Sequence, residues 1–495
     1  MLENITLGFQ HAILPFNLLM IFTGVCLGIV FGVLPGLQSA SGLAILLPIT
    51  FFMEPIPAFL MMVALYMAAE YGGSISSIAL GIPGTPPAVP TTWDGFPLCQ
   101  KGLAKKALGV SITSSAIGGI IGGIILIAAV VPLAEFALRF GPTEYFAVAL
   151  LGLSLVANLT GKSAIKGMIS VLIGLLVVVV GIDIFTGYPR FTFGIPQLLE
   201  GVPLVPAFIG LFAISKIFQY IEEERTGIQK IPEMRGSQFP SLKEFKGLIV
   251  SILRGSCIGT LIGIIPGAGA TIASLIAYTE EKRASKHPEK FGTGVLEGVS
   301  APESANNAAV GGALVPLLAL GIPGSGSTAV MMGGLMLQGL RPGPLLMPEH
   351  PDLVFSILVG VPLAALFMFV VGTLGIRLWV KVISMRLPIL IPFVLGLCII
   401  GAYGVAGSIF DVVLILFFGI LGYLLEKFGF PLAPVILAIV LGLIVESNFR
   451  RALAISGGSY MIFLTHPISL AVIILAIASF VIPFIRMRRK REVSL

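Results

Sequence analysis

The sequence predicts an all-α integral membrane protein that crosses the bilayer many times and contains two inverted repeats of the secondary-transporter type. Of its 495 residues, 56% are hydrophobic and only 11% are charged, whereas soluble domains carry about 25% charged residues. The mean hydropathy of +1.04 excludes a soluble enzyme, a nucleic-acid-binding protein and a disordered scaffold. No Asp, Glu, Lys or Arg lies between Glu3 and Glu54, and several later runs are also long enough for a membrane helix of about 20 residues.

The membrane segments are expected to be helices because continuous apolar runs, such as residues 175–180, lack the alternation of barrel strands. We expect about 11–12 transmembrane helices plus re-entrant or broken segments. Outside the motif-bearing segments, spans are predicted near 107–139, 145–161, 167–183, 200–221, 353–376, 387–410, 412–425, 428–445 and 460–485. The four cysteines and four histidines show no metal-ligand spacing, so neither a tightly bound metal nor a cofactor is expected.

Two pairs of Pro-Gly motifs indicate an internal duplication. Gly28–Gly36 resembles Gly259–Gly267, and Ala79–Thr85 resembles Ala319–Ser325. The copies are offset by 231 residues at the first motif and 240 at the second, with the insertion near residues 280–290. We interpret the glycine pair inside the first motif of each copy as a site of close helix packing.

The charges that flank the two copies have opposite distributions. Lys101, Lys105 and Lys106 follow the first copy, which no Lys or Arg precedes, whereas a basic stretch precedes the second copy. The positive-inside rule then starts the first copy outside the cell and the second copy inside it, which makes the repeats inverted. We divide the chain into membrane repeat 1 (1–221, motifs at 28–41 and 71–97), a charged cytoplasmic linker (222–246), membrane repeat 2 (247–485, motifs at 259–271 and 301–328) and a basic cytoplasmic tail (486–495).

Each Pro-Gly motif is expected to break a helix inside the membrane. Proline removes a backbone hydrogen bond and clashes with the preceding turn, and irregular backbone at membrane depth survives only where it is buried in protein or lines a polar cavity. The free N–H groups and positive ends of broken helices bind anions. The predicted substrate-binding residues around one such cavity are Pro35, Gly36, Ser39, Ser74, Ser76, Ser77, Gly81, Pro83, Gly84, Thr85, Pro266, Gly267, Thr271, Asn306, Asn307, Gly321, Pro323, Gly324, Ser325 and Ser327.

Acidic residues near the motifs are candidates for ion coupling, because ionisable groups inside a membrane are costly and usually functional. Glu303 is the first candidate, followed by Glu70 and by Asn307 as an amide ligand. Both a proton and a transiently bound sodium ion remain open. Asp94 is expected to serve a turn at the membrane edge, and Ser111 and Ser154 are expected to lie away from the site.

At these motifs the sequence resembles the large membrane subunit of the tripartite tricarboxylate transporters, the TctA family. The stretches that carry the resemblance are Gly32–Gly36, Tyr71–Ala88, Glu303–Ala308 and Leu320–Ser325. The resemblance implies a multi-pass subunit of the bacterial inner membrane that imports a carboxylate such as citrate by sodium or proton symport. It also implies a small membrane subunit and a periplasmic solute-binding protein as partners. The positive-inside rule, applied to the loops and to the basic tail, predicts a periplasmic N-terminus and a cytoplasmic C-terminus.

Other functions are less well supported by the motifs. No zinc-protease pair, P-loop or dinucleotide fingerprint is present, so the chain is not expected to be an enzyme. A secondary transporter for another small solute and an uncoupled channel remain the alternatives.

Segments 16–53 and 247–281 are further predicted to be re-entrant hairpins. Lys and Arg flank the second segment on both sides and are absent on both sides of the first. About 35 residues are few for two crossings of about 20 each. Hairpins that enter from opposite faces would meet near the midplane, where the repeat could slide or rock against the remaining helices.

Overall fold

The computed structural model describes residues 1–34, 36–159, 163–222, 237–382 and 387–493. The first half of this described chain contains the helices α1 (Leu2–Ala12), α2 (Pro15–Val33), α3 (Ser39–Phe51), α4 (Pro55–Leu80), α5 (Val89–Gln100), α6 (Ala104–Ala137), α7 (Pro142–Leu159), α8 (Ala164–Val178), α9 (Leu204–Phe208) and α10 (Ser215–Glu222). A π-helical segment, Ile209–Ile214, joins α9 to α10. The strands β1 (Gly181–Ile182) and β2 (Pro189–Arg190) pair antiparallel, with Gly181 opposite Arg190.

The second half is also helical, and its last helix runs through the basic C-terminal residues to Val493. Its helices are α11 (Leu242–Ile264), α12 (Gly269–Ala284), α13 (Glu297–Leu320), α14 (Gly326–Leu337), α15 (Leu346–Glu349), α16 (Pro351–Leu374), α17 (Ile376–Val382), α18 (Leu387–Ala406), α19 (Ile409–Lys427), α20 (Leu432–Ile455), α21 (Ile462–Thr465) and α22 (Pro467–Val493). Most of the predicted charged linker, 222–246, falls on residues 223–236, which lie outside the described ranges.

Eight helical segments of the described chain are long and apolar enough to cross a membrane. They are Pro15–Val33, Pro55–Leu80, Ala104–Ala137, Leu204–Glu222, Leu242–Ile264, Pro351–Leu374, Ile409–Lys427 and Leu432–Ile455. Shorter apolar helices lie between them, including α3, α8 and α14. The predicted all-α, multi-pass fold is confirmed, and the spans predicted near 107–139 and 353–376 correspond to α6 and α16.

In each repeat, the helix before the first break packs parallel to the helix before the second break. Glycines of α2 and α11 face backbone carbonyls of α4 and α13 in matching order. The facing pairs are Gly28 with Leu65, Gly32 with Ala69, Gly259 with Ala305 and Gly263 with Ala309. A Cβ at any of these glycines would lie only 2.1–2.6 Å from the facing carbonyl oxygen. The interpretation of these glycines as close-packing residues is therefore confirmed.

The equivalent helices of the two repeats run in opposite directions. Ser74 and Met67 of α4 contact Ser111 and Gly119 of α6, which makes α4 and α6 antiparallel. The contacts between α6 and α13 run in the same direction along both helices, because Gly118 faces Ser304 and Gly122 faces Ala308. The helices α6 and α13 are therefore parallel. Because α6 is parallel to α13 and antiparallel to α4, the helices α4 and α13 are antiparallel to each other.

The chain turns back at the first break of each repeat, so that α2–α3 and α11–α12 form hairpins. Arg254, at the middle of α11, pairs with Glu281 near the end of α12 at 2.6 Å. The first arms, of 19 and 23 residues, are longer than the second arms, of 13 and 16 residues. The predicted hairpin shape is thus present, with a first arm that at about 1.5 Å per residue approaches the thickness of the membrane core. How deep the tips lie in a bilayer stays a prediction.

Candidate solute-binding cavity

The two helix breaks of each repeat are joined by the same backbone hydrogen bond. The Gly36 N–H donates to the carbonyl oxygen of Gly84 at 3.3 Å, and the Gly267 N–H donates to that of Gly324 at 2.9 Å. Gly36 and Gly267 have φ values of 94° and 80°, in the left-handed region that glycine adopts readily. The breaks therefore form a structural unit that is present twice, which explains why glycine occupies the same position in both copies.

A cavity of about 370 Å³ lies where the two pairs of breaks face each other. The first residues of four helices line it: Ser39 of α3, Gly269 of α12, Gly326 of α14 and Leu432 of α20. These helices contain 13, 16, 12 and 24 residues. Because a helix N-terminus carries about half a positive charge, four partial positive charges converge on this one volume.

Few side chains compete for the backbone N–H groups at these four helix starts. Within the described ranges, no side-chain hydrogen bond caps α3, α12 or α20. At α14, the Thr328 N–H donates to Ser325 Oγ at 3.2 Å and the Ser325 N–H donates to Thr328 Oγ1 at 2.8 Å. The first N–H groups of a helix have no partner inside the helix, so the uncapped starts suit an anionic ligand.

Glu70 is a carboxylate in the wall of this cavity. Its Oε1 accepts a hydrogen bond from Ser39 Oγ at 2.6 Å, and Ser39 Oγ lies 2.7 Å from Ser327 Oγ. Its Oε2 is buried and has no hydrogen-bond partner in the part of the chain that the structure describes. Among the described residues, no lysine or arginine forms an ion pair with Glu70. One carboxylate oxygen is therefore open to a proton, a cation or a solute group.

Glu303 lies in a separate, fully enclosed cluster of hydroxyl groups. Its Oε1 accepts from Thr91 Oγ1 at 2.5 Å, and its Oε2 accepts from Ser115 Oγ at 3.0 Å and Ser111 Oγ at 3.3 Å. Ser111 Oγ also lies 2.6 Å from Ser74 Oγ. The expectation that Ser111 lies away from the site residues is wrong, because the contact between α6 and α13 brings it to Glu303.

Asn306 and Asn307 connect the repeats where α13 crosses α4. Asn306 Nδ2 donates to the carbonyl oxygen of Glu70 at 3.0 Å, and Asn307 Nδ2 donates to that of Met67 at 2.8 Å. Both side chains are fully buried and do not line the cavity. The two asparagines hold the α4 backbone behind Glu70. They therefore support the cavity wall, whereas the sequence predicted that they contact the solute.

The remaining predicted residues divide into two groups. Those that line the cavity are Ser39, Glu70, Thr85, Gly267, Thr271, Ser325 and Ser327. Those that lie behind the lining are Gly36, Ser74, Ser76, Ser77, Gly81, Pro83, Gly84, Pro266, Gly321, Pro323 and Gly324. The hydroxyls of Ser76 and Ser77 donate to the carbonyl oxygen of Gly73 in their own helix, at 3.2 and 2.9 Å, which turns them away from the cavity. Pro35 lies outside the described residues.

The lining residues that were not anticipated from the sequence include Tyr66, Phe212 and Glu426. The Tyr66 hydroxyl lies 3.0 Å from Ser325 Oγ. Phe212 belongs to the π-helical segment, and its carbonyl oxygen accepts from Ser41 Oγ at 2.9 Å. The sequence offers one indication that Glu426 is functional, because it is an acidic residue next to the predicted span 412–425. Its partners could not be predicted, because they come from distant parts of the chain.

Asp94 holds a turn, as expected. Its carboxylate accepts the N–H groups of Gly292, Gly294 and Val295 at 2.8–3.1 Å and the Tyr278 hydroxyl at 2.8 Å. The turn immediately precedes α13, so Asp94 joins α5 of repeat 1 to the second repeat. No group of three His, Cys, Asp or Glu side chains is placed to hold a metal within the described ranges.

Comparison with known proteins agrees with the motifs. The family described as "Tripartite tricarboxylate transporter TctA family" matches residues 18–437. An "Uncharacterized 52.8 kDa protein in TAR-I ttuC' 3'region" of Agrobacterium vitis is 37% identical over 99% of this chain and 98% of its own length. An "Uncharacterized protein in TAR-II ttuC' 3'region" of the same organism is 38% identical over 47% of this chain and 97% of its own length. No solved structure matches. The chain therefore belongs to the tripartite tricarboxylate transporter TctA family and is a large membrane subunit of that transporter type.

Proposed function

We propose that this subunit imports a small, citrate-like carboxylate by ion-coupled symport and that the cavity between the helix breaks is its solute site. The observation that carries the proposal is the convergence of four helix N-termini, three without a side-chain cap, on one cavity. Oriented N–H groups and helix dipoles favour an anion without adding a charged side chain. The cavity volume of about 370 Å³ lies in the range of small-molecule sites.

Glu70 is the coupling carboxylate in this proposal. An ionised Glu70 would repel a carboxylate solute in the same cavity, because two like charges in a low-dielectric site are unfavourable. A proton or a sodium ion on the open Oε2 removes that repulsion, so the cation and the anion bind together. Glu303 has both oxygens engaged by hydroxyls and sits outside the cavity, which favours a supporting role.

The charged loops support an orientation with a periplasmic N-terminus and a cytoplasmic C-terminus in the bacterial inner membrane. Lys106 pairs with Glu244 at 2.9 Å, and Lys101 Nζ donates to the Thr293 carbonyl oxygen at 2.6 Å. Loops that the positive-inside rule assigns to the cytoplasm are thus neighbours in the structure. The small membrane subunit and the solute-binding protein of the same system are the proposed partners, the latter acting from the periplasm.

Uptake of radiolabelled citrate, malate and succinate into proteoliposomes tests the proposal. The complete three-subunit system is assayed with and without a sodium gradient, a proton gradient and the binding protein. We expect uptake that needs both the binding protein and one of the gradients. Uptake that is indifferent to all of these conditions would contradict coupled transport and indicate an uncoupled channel.

Two serine variants connect this assay to the cavity. Ser39→Ala removes the hydroxyl that donates to Glu70, and Ser327→Ala removes the hydroxyl that contacts Ser39. Ser39→Ala is expected to lower uptake at least about fivefold, since a hydrogen bond to a charged group contributes about 1.5–3 kcal/mol, and Ser327→Ala is expected to lower it less. Ser256→Ala is the matched control, because the buried Ser256 hydroxyl donates to the Ile252 carbonyl in its own helix and does not line the cavity. Equal uptake by all three variants would contradict this site assignment.

A further inference from the structure

Lys216 is a buried charge beside the cavity. Among the described residues it is the only buried lysine or arginine, with 8% of its surface exposed. It is the second residue of α10, two positions after the π-helical segment, and lies inside the candidate span Leu204–Glu222. Charged groups inside membrane segments are rare and mark the paths of solutes and ions. Its position therefore calls for a functional explanation.

Lys216 is bound by Glu426 of α19. Its Nζ donates to Glu426 Oε1 at 2.7 Å, to Oε2 at 2.9 Å and to Gln219 Oε1 at 3.1 Å. Gln219 Nε2 also donates to Glu426 Oε2, at 2.5 Å. Glu426 lines the cavity and Lys216 does not. The carboxylate of Glu426 therefore covers the ammonium group on the side of the cavity.

The charges of the cavity wall are unfavourable for an anion in this arrangement. Its described lining residues include the carboxyl groups of Glu70 and Glu426 and no lysine or arginine. Helix N-termini supply partial charges only, whereas a di- or tricarboxylate carries two or more full negative charges. Lys216 supplies a full positive charge next to this wall, and that charge is already bound by a carboxylate of the protein, Glu426.

We propose that Lys216 and Glu426 form a charge gate on the solute path, in which a carboxylate group of the solute exchanges with Glu426 on Lys216. This inference rests on the proposed function. The exchange replaces one carboxylate by another, so Lys216 is never left as an unpaired buried charge, which would be strongly destabilising. When the solute leaves, Glu426 returns to Lys216 and closes the path.

The neighbouring ion pair between the same two helices provides a matched control. Glu222 of α10 and Lys427 of α19 form a contact at 2.5 Å, with 49% and 47% of their side chains exposed. The Lys216 and Glu426 side chains are 10% and 21% exposed. A role that depends only on holding α10 against α19 would be shared by both pairs, whereas a gate requires the pair at the cavity.

The experiment measures the apparent KM for whichever of citrate, malate and succinate the wild-type three-subunit system takes up. In Lys216→Met we expect KM to rise at least about tenfold, as for loss of a close charge partner. In the double variant Lys216→Met/Glu426→Gln, no unpaired charge remains, so it is expected to retain the wild-type melting temperature while KM stays raised about tenfold. In the control Glu222→Gln/Lys427→Met, KM is expected to change less than about twofold.

The double variant separates a gate from a purely structural ion pair. A wild-type KM in the double variant would contradict the gate. If the pair is only structural, neutralising both residues removes the unpaired charge and restores a normal KM. If Lys216 binds the solute, the contact stays lost and KM stays raised. Lys216→Arg keeps the charge and is expected to retain KM within about threefold of wild type, which keeps the test decisive if the methionine variant does not fold. If the wild-type system takes up none of the three acids, the proposed function fails first and the gate with it.

Discussion

The two repeats share their backbone but not their buried charges. Each repeat contains two helix breaks that are joined by a backbone hydrogen bond between two glycines. A hydroxyl residue follows the second break in each repeat, Thr85 in the first and Ser325 in the second. Glu70 of the first repeat corresponds to Val310 of the second, and Glu303 of the second corresponds to Val63 of the first. Both valines are fully buried. The duplication thus provides a symmetric setting for an anion, and each carboxylate exists in only one copy.

This difference separates two tasks. Binding of an anion by helix N-termini depends on backbone geometry, which a duplication preserves automatically. Coupling to a cation depends on a particular side chain in a low-dielectric site, and a second carboxylate in the same cavity would add electrostatic repulsion. We infer that binding uses both repeats, whereas coupling uses one.

The largest expected effect is that cysteines at the ends of the two hairpins react from opposite sides of the membrane. In a cysteine-free background, Lys246→Cys and Ala284→Cys flank the second hairpin and are expected to react with an impermeant reagent only from the cytoplasm. Leu14→Cys and Glu54→Cys flank the first hairpin and are expected to react only from the periplasm, following the charge distribution of the loops. The cysteines to be replaced are Cys26, Cys99, Cys257 and Cys398.

One position decides between a hairpin and a crossing segment. Reaction of the cysteine at position 284 from the periplasm would mean that segment 247–281 traverses the bilayer, and the hairpin interpretation would fall. Labelling at positions 246 and 284 in permeabilised cells is the control. A cysteine that reacts there but not in intact cells faces the cytoplasm, whereas a cysteine that reacts in neither case is buried.

The next largest effect should distinguish the two carboxylates. Glu70→Gln cannot accept a proton or bind a cation with a full charge, so solute accumulation against a gradient is expected to fall at least about tenfold. Glu303→Gln disturbs the hydroxyls of Thr91, Ser111 and Ser115 and is expected to lower the free energy of unfolding by about 1–3 kcal/mol while the remaining uptake stays coupled. The ratio of uptake with and without the ion gradient is the measurement. Loss of coupling in Glu303→Gln alone would exchange the two roles.

The sequence predicts the parts of this site that depend on local backbone chemistry. Pro-Gly pairs inside apolar runs predict the helix breaks, and the hydroxyls next to the breaks include Ser39, Ser325 and Ser327 of the cavity lining. What local pattern does not reveal is the rotation of one helix against another. The sequence therefore did not reveal that Glu303, its first coupling candidate, lies outside the cavity. It also did not reveal that Ser111 lies next to Glu303.

The gate residues illustrate the same limit. Lys216 is visible in the sequence as a lysine inside a predicted span, but its partner Glu426 is 210 positions away in the chain. Only the packing of α10 against α19 brings the two together. Long-range pairs of this kind require the three-dimensional structure.

A smaller effect is expected from the glycines that set the distance between parallel helices. Gly28→Ala and Gly259→Ala would place a Cβ 2.4 and 2.2 Å from facing carbonyl oxygens, and overpacking of this kind costs about 1–3 kcal/mol. Thermal unfolding in detergent should show a similar decrease for both, since they occupy equivalent positions. Gly247→Ala is the control, because nothing lies within 4 Å of a Cβ there. A decrease in only one repeat would show that the two backbones are not equivalent.

The smallest effect concerns an ion pair that joins the repeats at the predicted periplasmic face. Asp183, in the loop before α9, accepts hydrogen bonds at 2.7 Å from Arg450 of α20 and further bonds from the N–H groups of Phe185 and Thr186. The Arg450 hydrogen bond is the main reason that the pKa of the Asp183 carboxyl lies well below its usual range, and the backbone bonds add to it. A carboxyl group with a lowered pKa in the folded state stabilises the protein above its unfolded pKa of about 3.9 and loses that contribution as the pH falls towards the folded value.

Asp183→Asn is therefore expected to lower the melting temperature by a few degrees at pH 7, an amount of roughly the size that one surface ion pair supplies. The gap between wild type and variant should stay constant from pH 7 to about pH 5 and shrink steadily at lower pH, because the unfolded carboxyl is then protonated while the folded carboxyl is still ionised. Glu349→Gln, at an exposed position on the same predicted face, is the control and should leave the melting temperature unchanged at every pH. A gap that persists undiminished at low pH would mean that the Asp183 carboxyl acts through its shape and neutral hydrogen bonds, and that charge does not hold the two repeats together at this face.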